Sequence, residues 1–183
     1  DFPNLSMVGV DDRAAAYTAM DYLIRQGHRK IAVLGGPVTS YPSLMRRQGA
    51  QQAMEDAGIV FNDKLYGLSN YDFESAYHAM NSLLARRAEF TALFAMSDVI
   101  AFGAIRALVS AGLRVPEDVS VIGFDGITMS RYCVPVMTTI VQPSEQIALQ
   151  SIELLVRQIE HGSPAQTVTL QPELQQGESV RAI

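Results

Sequence analysis

The stretch from Thr91 to Asp125, TALFAMSDVIAFGAIRALVSAGLRVPEDVSVIGFD, shows a pattern of apolar and polar positions that much of the chain repeats. Thr91–Ala95 is an apolar run of strand length. Ser97 or Asp98 can accept from the free N–H groups of a helix start. Phe102, Ile105, Leu108 and Val109 then recur at helical spacing, Gly112 is placed to end the helix, and Pro116 sits in the connection where no helix is wanted. Val119–Phe124 is a second buried-strand run, with Asp125 at its end. Strand, helix and strand predict a right-handed βαβ unit with both strands parallel. Parallel strands share a carboxyl edge, so Ser97 and Asp125 are expected close together, where open α/β sheets bind ligands.

The same reading extends along the chain. Leu5–Val10 predicts a strand, ended by Asp11 and Asp12, which also cap a helix carrying Ala16, Met20, Leu23 and Ile24 on one face. Gly27 closes that helix, and His28 finishes its end. Ile31–Leu34 is a strand broken by a tight turn at Gly35–Gly36–Pro37. After a polar loop Thr39–Ser43, Ser43 is expected to cap a helix running to Ala57. Leu65–Leu68 reads as a strand, and Asp72 as the cap of a helix with Ala76, Met80, Leu83 and Leu84 inward. After the βαβ unit come a loop with Pro135, a short strand Met137–Val141 and a helix from Ser144 to Glu160 stopped by Gly162. Gln166–Leu170 and the tail read as short strands or extended chain, with Pro172 suggesting an edge. The alternation predicts an α/β fold: a doubly wound, mostly parallel sheet.

On this reading the carboxyl edge carries Asp11, Gly35–Ser43, Ser69–Asp72, Met96–Asp98 and Asp125–Thr128. Arg46 lies one turn into a helix that starts there, and its five-donor planar head suits sugar hydroxyls, carboxylates or phosphates. Asp125 is a fixed acceptor suited to paired hydroxyls. Tyr41 and Tyr71 offer flat faces with polar tips. Each has a plainer reading: a lone surface Arg or Tyr is more often solvated packing, Asp98 and Asp72 read first as helix caps, and Asp11 and Asp12 cap as readily as they bind. The eight methionines are mainly core filler.

Composition narrows the function classes. A net charge of −5 argues against this chain gripping nucleic acid or an anionic membrane by itself. One cysteine, Cys133, excludes an internal disulfide framework and fits a reducing cytoplasm. No apolar run is long enough to span a bilayer. The start, DFPNLSMVGVDD, reads as the approach to a strand, and the chain is expected to be a piece of a longer protein. GxSxG, HExxH and GxxxxGK[ST] are absent, and three scattered histidines give no metal spacing, so neither catalysis, metal nor cofactor is expected.

Several segments resemble the LacI/GalR transcription regulators: Asp11–Asp12–Arg13–Ala14, GHRKIAVLGGP, RRQGAQQAMEDAGI, Phe90 to Gly126, and PVMTTIVQP. The resemblance covers nearly the whole chain in order. It implies an effector-binding domain of periplasmic-binding-protein-like type I fold, here one complete lobe plus a remnant of the other. About 11–136 and 164–183 would be the distal lobe, and about 1–10 and 137–163 the remnant of the DNA-proximal lobe. The helix-turn-helix that contacts operator DNA would be missing. By resemblance, Arg46 and Asp125 match the family's ligand-binding arginine and aspartate. Tyr71 falls where an aromatic ring often lies against the effector, and Gln142 where a polar residue can reach the cleft. Ser97 stands where asparagine is common, Pro42 where Ser or Thr is often found, and Asp12 where asparagine is frequent. The expected partners are a sugar or sugar derivative, with a purine as second reading, and a second copy of the chain, through contacts including Tyr132–Pro135. Two alternatives stand beside this: an exported sugar-binding protein of the same fold, and a flavodoxin-like or Rossmann enzyme, which would need a phosphate loop or catalytic pair.

Overall fold

The computed structural model describes residues 5–183; residues 1–4 of the expected first segment lie outside it. The elements follow one another as β1 (Met7–Val10), α1 (Asp12–Arg25), β2 (Ile31–Gly35), α2 (Tyr41–Asp56), β3 (Tyr66–Leu68), α3 (Phe73–Ala85), β4 (Ala92–Ala95), α4 (Asp98–Ser110), β5 (Ser120–Asp125), β6 (Thr138–Val141), α5 (Ser144–His161), β7 (Thr167–Leu170) and β8 (Glu173–Gln175). The main sheet has the order β3-β2-β4-β5-β6-β8. Its strands are parallel except β8, which runs antiparallel to β6 at the edge. The doubly wound α/β architecture expected from the alternation is the one found.

The core follows from composition of the strands. β2 and β4 are buried along their whole length, as continuous apolar runs flanked by helices on both faces must be. α1 packs beside α2 and α3 beside α4. Right-handed crossovers place α2 on one face and α3 and α4 on the other, because the chain moves outward from β2 to β3 and then back past β2 to β4 and β5. The strand order therefore reverses between β2 and β4, and a crevice opens at their carboxyl ends.

Three local expectations are corrected. Ser40, not Ser43, caps α2, its side chain accepting from the Ser43 amide; Pro42 fits the first turn, where its missing N–H costs nothing. Ser43 is buried instead, its hydroxyl donating to the Gly36 carbonyl. Ser97, not Asp98, caps α4. On α4 the buried face runs through Ile100, Ala101, Gly103, Ala104, Ala107 and Leu108, whereas Phe102 and Ile105 are half-buried and Val109 is exposed. The small residues win because α3 approaches too closely for anything larger: a Cβ on Gly103 would lie 2.6 Å from the Phe73 carbonyl oxygen.

The tail pairs differently from the division expected between 136 and 137 and between 163 and 164. β6 belongs to the main sheet, hydrogen-bonded beside β5 with Thr138, Thr139 and Ile140 buried. β7 instead pairs in parallel with β1 as a separate two-stranded sheet. Its alternation of exposed and half-buried residues suits a one-sided ribbon rather than a sheet interior. α5 packs on β1 and leaves Leu149, Ile152, Leu155 and Ile159 exposed.

Candidate functional site

The residues at the carboxyl ends of four strands meet around one pocket of about 320 Å³, lined by Ser40, Pro42, Arg46, Tyr71, Ser97, Val99 and Asp125. Each side chain is placed by a strand-to-helix junction. β2 delivers Ser40 and Pro42 at the start of α2, and Arg46 one turn further in. β3 delivers Tyr71, β4 delivers Ser97 and Val99, and β5 ends at Asp125. A larger pocket of about 350 Å³ lies at the opposite end of the sheet, around Lys30, Ile31 and Glu89. It has a surface ion pair, Lys30 with Glu89, and none of the convergence seen at the crevice.

Arg46 is the centre of the site. Its residue is buried, with its guanidinium 3.7 Å from the centroid of the Phe124 ring. Nε donates to Asp12 Oδ1 at 2.7 Å, Nη1 donates to the Met96 carbonyl, and Nη1 stands 3.6 Å from Asp125 Oδ1. Asp125 in turn accepts from Gln142 Nε2 at 2.7 Å. Burial raises the Asp125 pKa, opposed by the Arg46 charge and the Gln142 hydrogen bond. Behind it Asp98 is wholly buried; one oxygen accepts from the Thr139 hydroxyl at 2.6 Å and the other from the Ile127 amide at 2.8 Å. Burial pushes the Asp98 carboxyl up to about 6 despite those donors.

Backbone strain marks the same place. Among the described residues three non-glycines have positive φ, and two of them, Tyr71 at 60° and Asp125 at 114°, line this pocket. Such conformations persist where the surroundings over-determine them, and they gather at ligand sites. The Tyr71 ring lies over Gly36, where any Cβ would fall inside its van der Waals radius. The Gly35–Gly36–Pro37 turn thus makes room for an aromatic ring rather than for a phosphate.

Arg46, Asp125, Tyr71 and Ser97 therefore come together as expected. Gln142 touches Asp125 without lining the pocket. Tyr41 does not line it: as the first residue of α2 it is 69% exposed. Ser97 has two roles, since its hydroxyl oxygen also caps α4. Of the two adjacent carboxylates, Asp11 caps α1 through the Ala14 amide and Asp12 holds Arg46. The sequence signal for Asp12 was only its position beside the strand end.

A family model for the periplasmic binding protein-like domain matches residues 20–180. The chain belongs to that family. Its resemblance to the LacI/GalR regulators is borne out by the relatives. The HTH-type transcriptional repressor PurR of Histophilus somni strain 129Pt is 35% identical over 181 residues, covering 98% of this chain and 54% of the relative. The transcriptional regulator CelR, solved in complex with cellobiose, superposes with a TM-score of 0.93 at 33% identity, covering 98% of this chain and 55% of that one. A LacI family regulator from Enterococcus faecium with bound ribose gives 0.89 at 28% identity, with 97% and 66% covered. This periplasmic binding protein-like chain spans about half the length of the curated relatives it matches. No helix among its described residues is long and apolar enough to cross a membrane.

Proposed function

We propose that this chain is the effector-binding part of a bacterial LacI-family transcriptional repressor, and that it takes a small polyhydroxylated molecule, a sugar or sugar derivative, between Arg46 and Asp125. The observation that carries the reading is a buried arginine paired with an aspartate on the wall of a 320 Å³ pocket at the sheet's switch point. Hydrogen bonds from hydroxyls to such charged groups contribute roughly 1.5–3 kcal/mol each. Tyr71 supplies a face for the apolar side of a sugar ring. The complexes of CelR with cellobiose and of the E. faecium regulator with ribose support a sugar. A purine is the second reading, favoured by the same Tyr71 ring. That the relatives are transcriptional regulators favours this over an exported sugar-binding protein or an enzyme.

In this reading the main sheet is the distal lobe, and β1, β7 and α5 belong to the DNA-proximal one. The exposed apolar face of α5 is then the surface that the remainder of that lobe covers. Operator DNA is contacted by a helix-turn-helix outside this chain, in the cytoplasm, and the acidic chain itself has no operator affinity. Two copies pair through the hollow lined by Ile105, Val109, Leu113, Val115, Val134 and Pro135, beside the exposed Tyr132.

The test is a thermal-shift screen of cellobiose, ribose, further mono- and disaccharides, and purine bases on this chain, repeated on Arg46→Lys and Asp125→Asn. A ligand at 100 times its Kd stabilises by about 2.7 kcal/mol. The reading expects a sugar hit whose shift is lost in both variants; a hit that stabilises both variants as well as the parent places the ligand elsewhere.

A further inference from the structure

The three donor positions of Arg46 are not equally available. Asp12 takes Nε, the Met96 carbonyl takes Nη1, and among the described residues only Nη2 has no partner. A guanidinium grips a phosphate or carboxylate strongly by offering two parallel N–H groups along one side of its fork. On the Nε–Nη2 side of the Arg46 fork the Nε donor is already engaged, and at its Nη1–Nη2 end one of the two Nη1 N–H groups goes to the Met96 carbonyl. A single N–H can still serve a hydroxyl, which needs only one.

Charge points the same way. Among the described residues Arg46 is the only cation lining the pocket, and it faces Asp12 and Asp125, so the cluster carries one more negative charge than positive. Helix N-termini at this edge would ordinarily attract anions. Here three of the four already carry carboxylates of their own: Asp11 and Asp12 on α1, Asp72 on α3 and Asp98 on α4. The fourth, α2, is capped by the Ser40 side chain and has Pro42 in its first turn, which removes a donor.

We infer that Asp12 is a specificity-determining residue: by engaging Nε of Arg46 and matching its charge, it restricts the cleft to neutral hydroxyl-bearing ligands and excludes anionic ones such as sugar phosphates. This rests on the effector site proposed above. Asp12 acts through Arg46 and does not itself line the pocket. One uncompensated charge within about 7 Å of an anion, at the dielectric effective in proteins, changes affinity by roughly ten- to a hundredfold.

The experiment is calorimetric titration of the whole chain with inorganic phosphate and glucose 6-phosphate at low ionic strength. The proteins are the parent, Asp12→Asn, Asp12→Ser and Asp12→Asn combined with Arg46→Lys. Asp63→Asn is the control, since it removes the same charge from an exposed pair with Arg47. Asp12→Asn is expected to bind phosphate at least tenfold more tightly than the parent and than Asp63→Asn, with the gain lost when Arg46 is changed as well. Asp12→Ser is expected to show the same gain, and it decides the matter if Asp12→Asn fails to fold. Any neutral sugar that binds the parent should bind at least tenfold more tightly than its phosphate ester. The inference is overturned if the parent binds phosphate as tightly as the folded Asp12 variants, or if Asp63→Asn gains equally. If no neutral sugar binds yet Asp12→Asn gains Arg46-dependent phosphate affinity, the role of Asp12 stands and the effector reading falls. If a sugar binds through Arg46 and Asp125 but its phosphate ester binds equally well, the effector reading stands and the role of Asp12 falls.

Discussion

Replacing Arg46 by Met should destabilise the fold more than any other single change at the site. Met keeps much of the stem volume, so the loss is electrostatic rather than a cavity. The ion pair with Asp12 is nearly dry, with side chains 7% and 16% exposed, and solvent screening gives little relief. Removing one member of a buried pair costs about 3–5 kcal/mol, because the partner charge is left uncompensated. Here two carboxylates are left, Asp12 and Asp125, together with the Met96 carbonyl. The contact over Phe124 adds roughly 0.5–2 kcal/mol where a cation is desolvated. These contributions share one side chain and do not add, so the expected cost stays at about 3–5 kcal/mol. The assay is urea unfolding followed by circular dichroism, with the denaturant slope unchanged if the two end states keep their exposed surface. Adding Asp12→Asn to Arg46→Met should recover about 1–3 kcal/mol, since the second change removes the charge that the first stranded. A cost for Arg46→Met below about 1 kcal/mol, or no recovery in the double variant, would refute the buried pairing as the organising interaction.

Other consequences can be checked in the same way. Asp98 has its folded-state pKa raised from 3.8 to about 6, so the native state holds the proton more tightly and stability falls as pH rises from about 4 to about 6, by about 3 kcal/mol in all. Asp98→Asn should abolish that fall, and equal pH slopes for parent and variant in urea titrations would sink the assignment. His28 runs the other way: it is buried between the Thr91 hydroxyl and the Arg181 carbonyl, and burial lowers its pKa below 6.5. Its contribution is complete above 6.5 and is lost as pH falls through the lower folded value, and NMR titration of the ring should place that midpoint below 6.5. Gly103→Ala should cost about 1–3 kcal/mol, because the obstructing atoms, the Phe73 carbonyl oxygen, the Ala76 Cβ and the Tyr77 amide nitrogen, are fixed to α3 and cannot move aside; a neutral effect in thermal unfolding would contradict the close approach. Val134→Asp, at a position 93% exposed, should leave stability unchanged and shift sedimentation toward monomer, and an unaltered association constant would remove the proposed pairing face.

What could be read from the sequence was set by local pattern and chain order. The β4–α4–β5 unit was legible because a buried strand, a capped helix and a second buried strand follow without interruption, and parallel topology then fixes which residues share an edge. Asp125 came with it, and Arg46 with the neighbouring β2–α2 junction. The partner of Arg46 was not legible. Asp11 and Asp12 are adjacent at one strand-to-helix junction, and only the tertiary approach of α2 to α1 decides which caps and which pairs. The inward face of α4 departs from its large-apolar spacing for a related reason. Gly103, Ala104 and Ala107 contribute little hydrophobicity, yet closeness of approach matters more than side-chain size where two helices touch. The membership of β6 and β7 depended on pairing across long sequence separations, Ile122 with Thr138 and Met7 with Thr167, on which local periodicity is silent.

The site also contains the link through which occupancy could be felt elsewhere. Gln142 is the first residue beyond β6, and it is tied to Asp125 twice: its side chain donates to the carboxylate and its amide to the Asp125 carbonyl. Pro143 follows and α5 begins at Ser144, so the chain leaves the main sheet for the β1–α5 unit immediately after touching Asp125. A ligand hydroxyl that donates to Asp125 would share the carboxylate with the Gln142 side chain, which holds Oδ1. A ligand shifts an arrangement only as far as it binds one state better than the other. In the proposed site the contact next to the crossing segment is the one at Asp125. Asp125→Asn and Gln142→Ala should therefore separate affinity from coupling: the first weakens binding, while the second leaves Arg46 and Asp125 in place to bind and removes the side-chain tie ahead of α5, keeping only the backbone one.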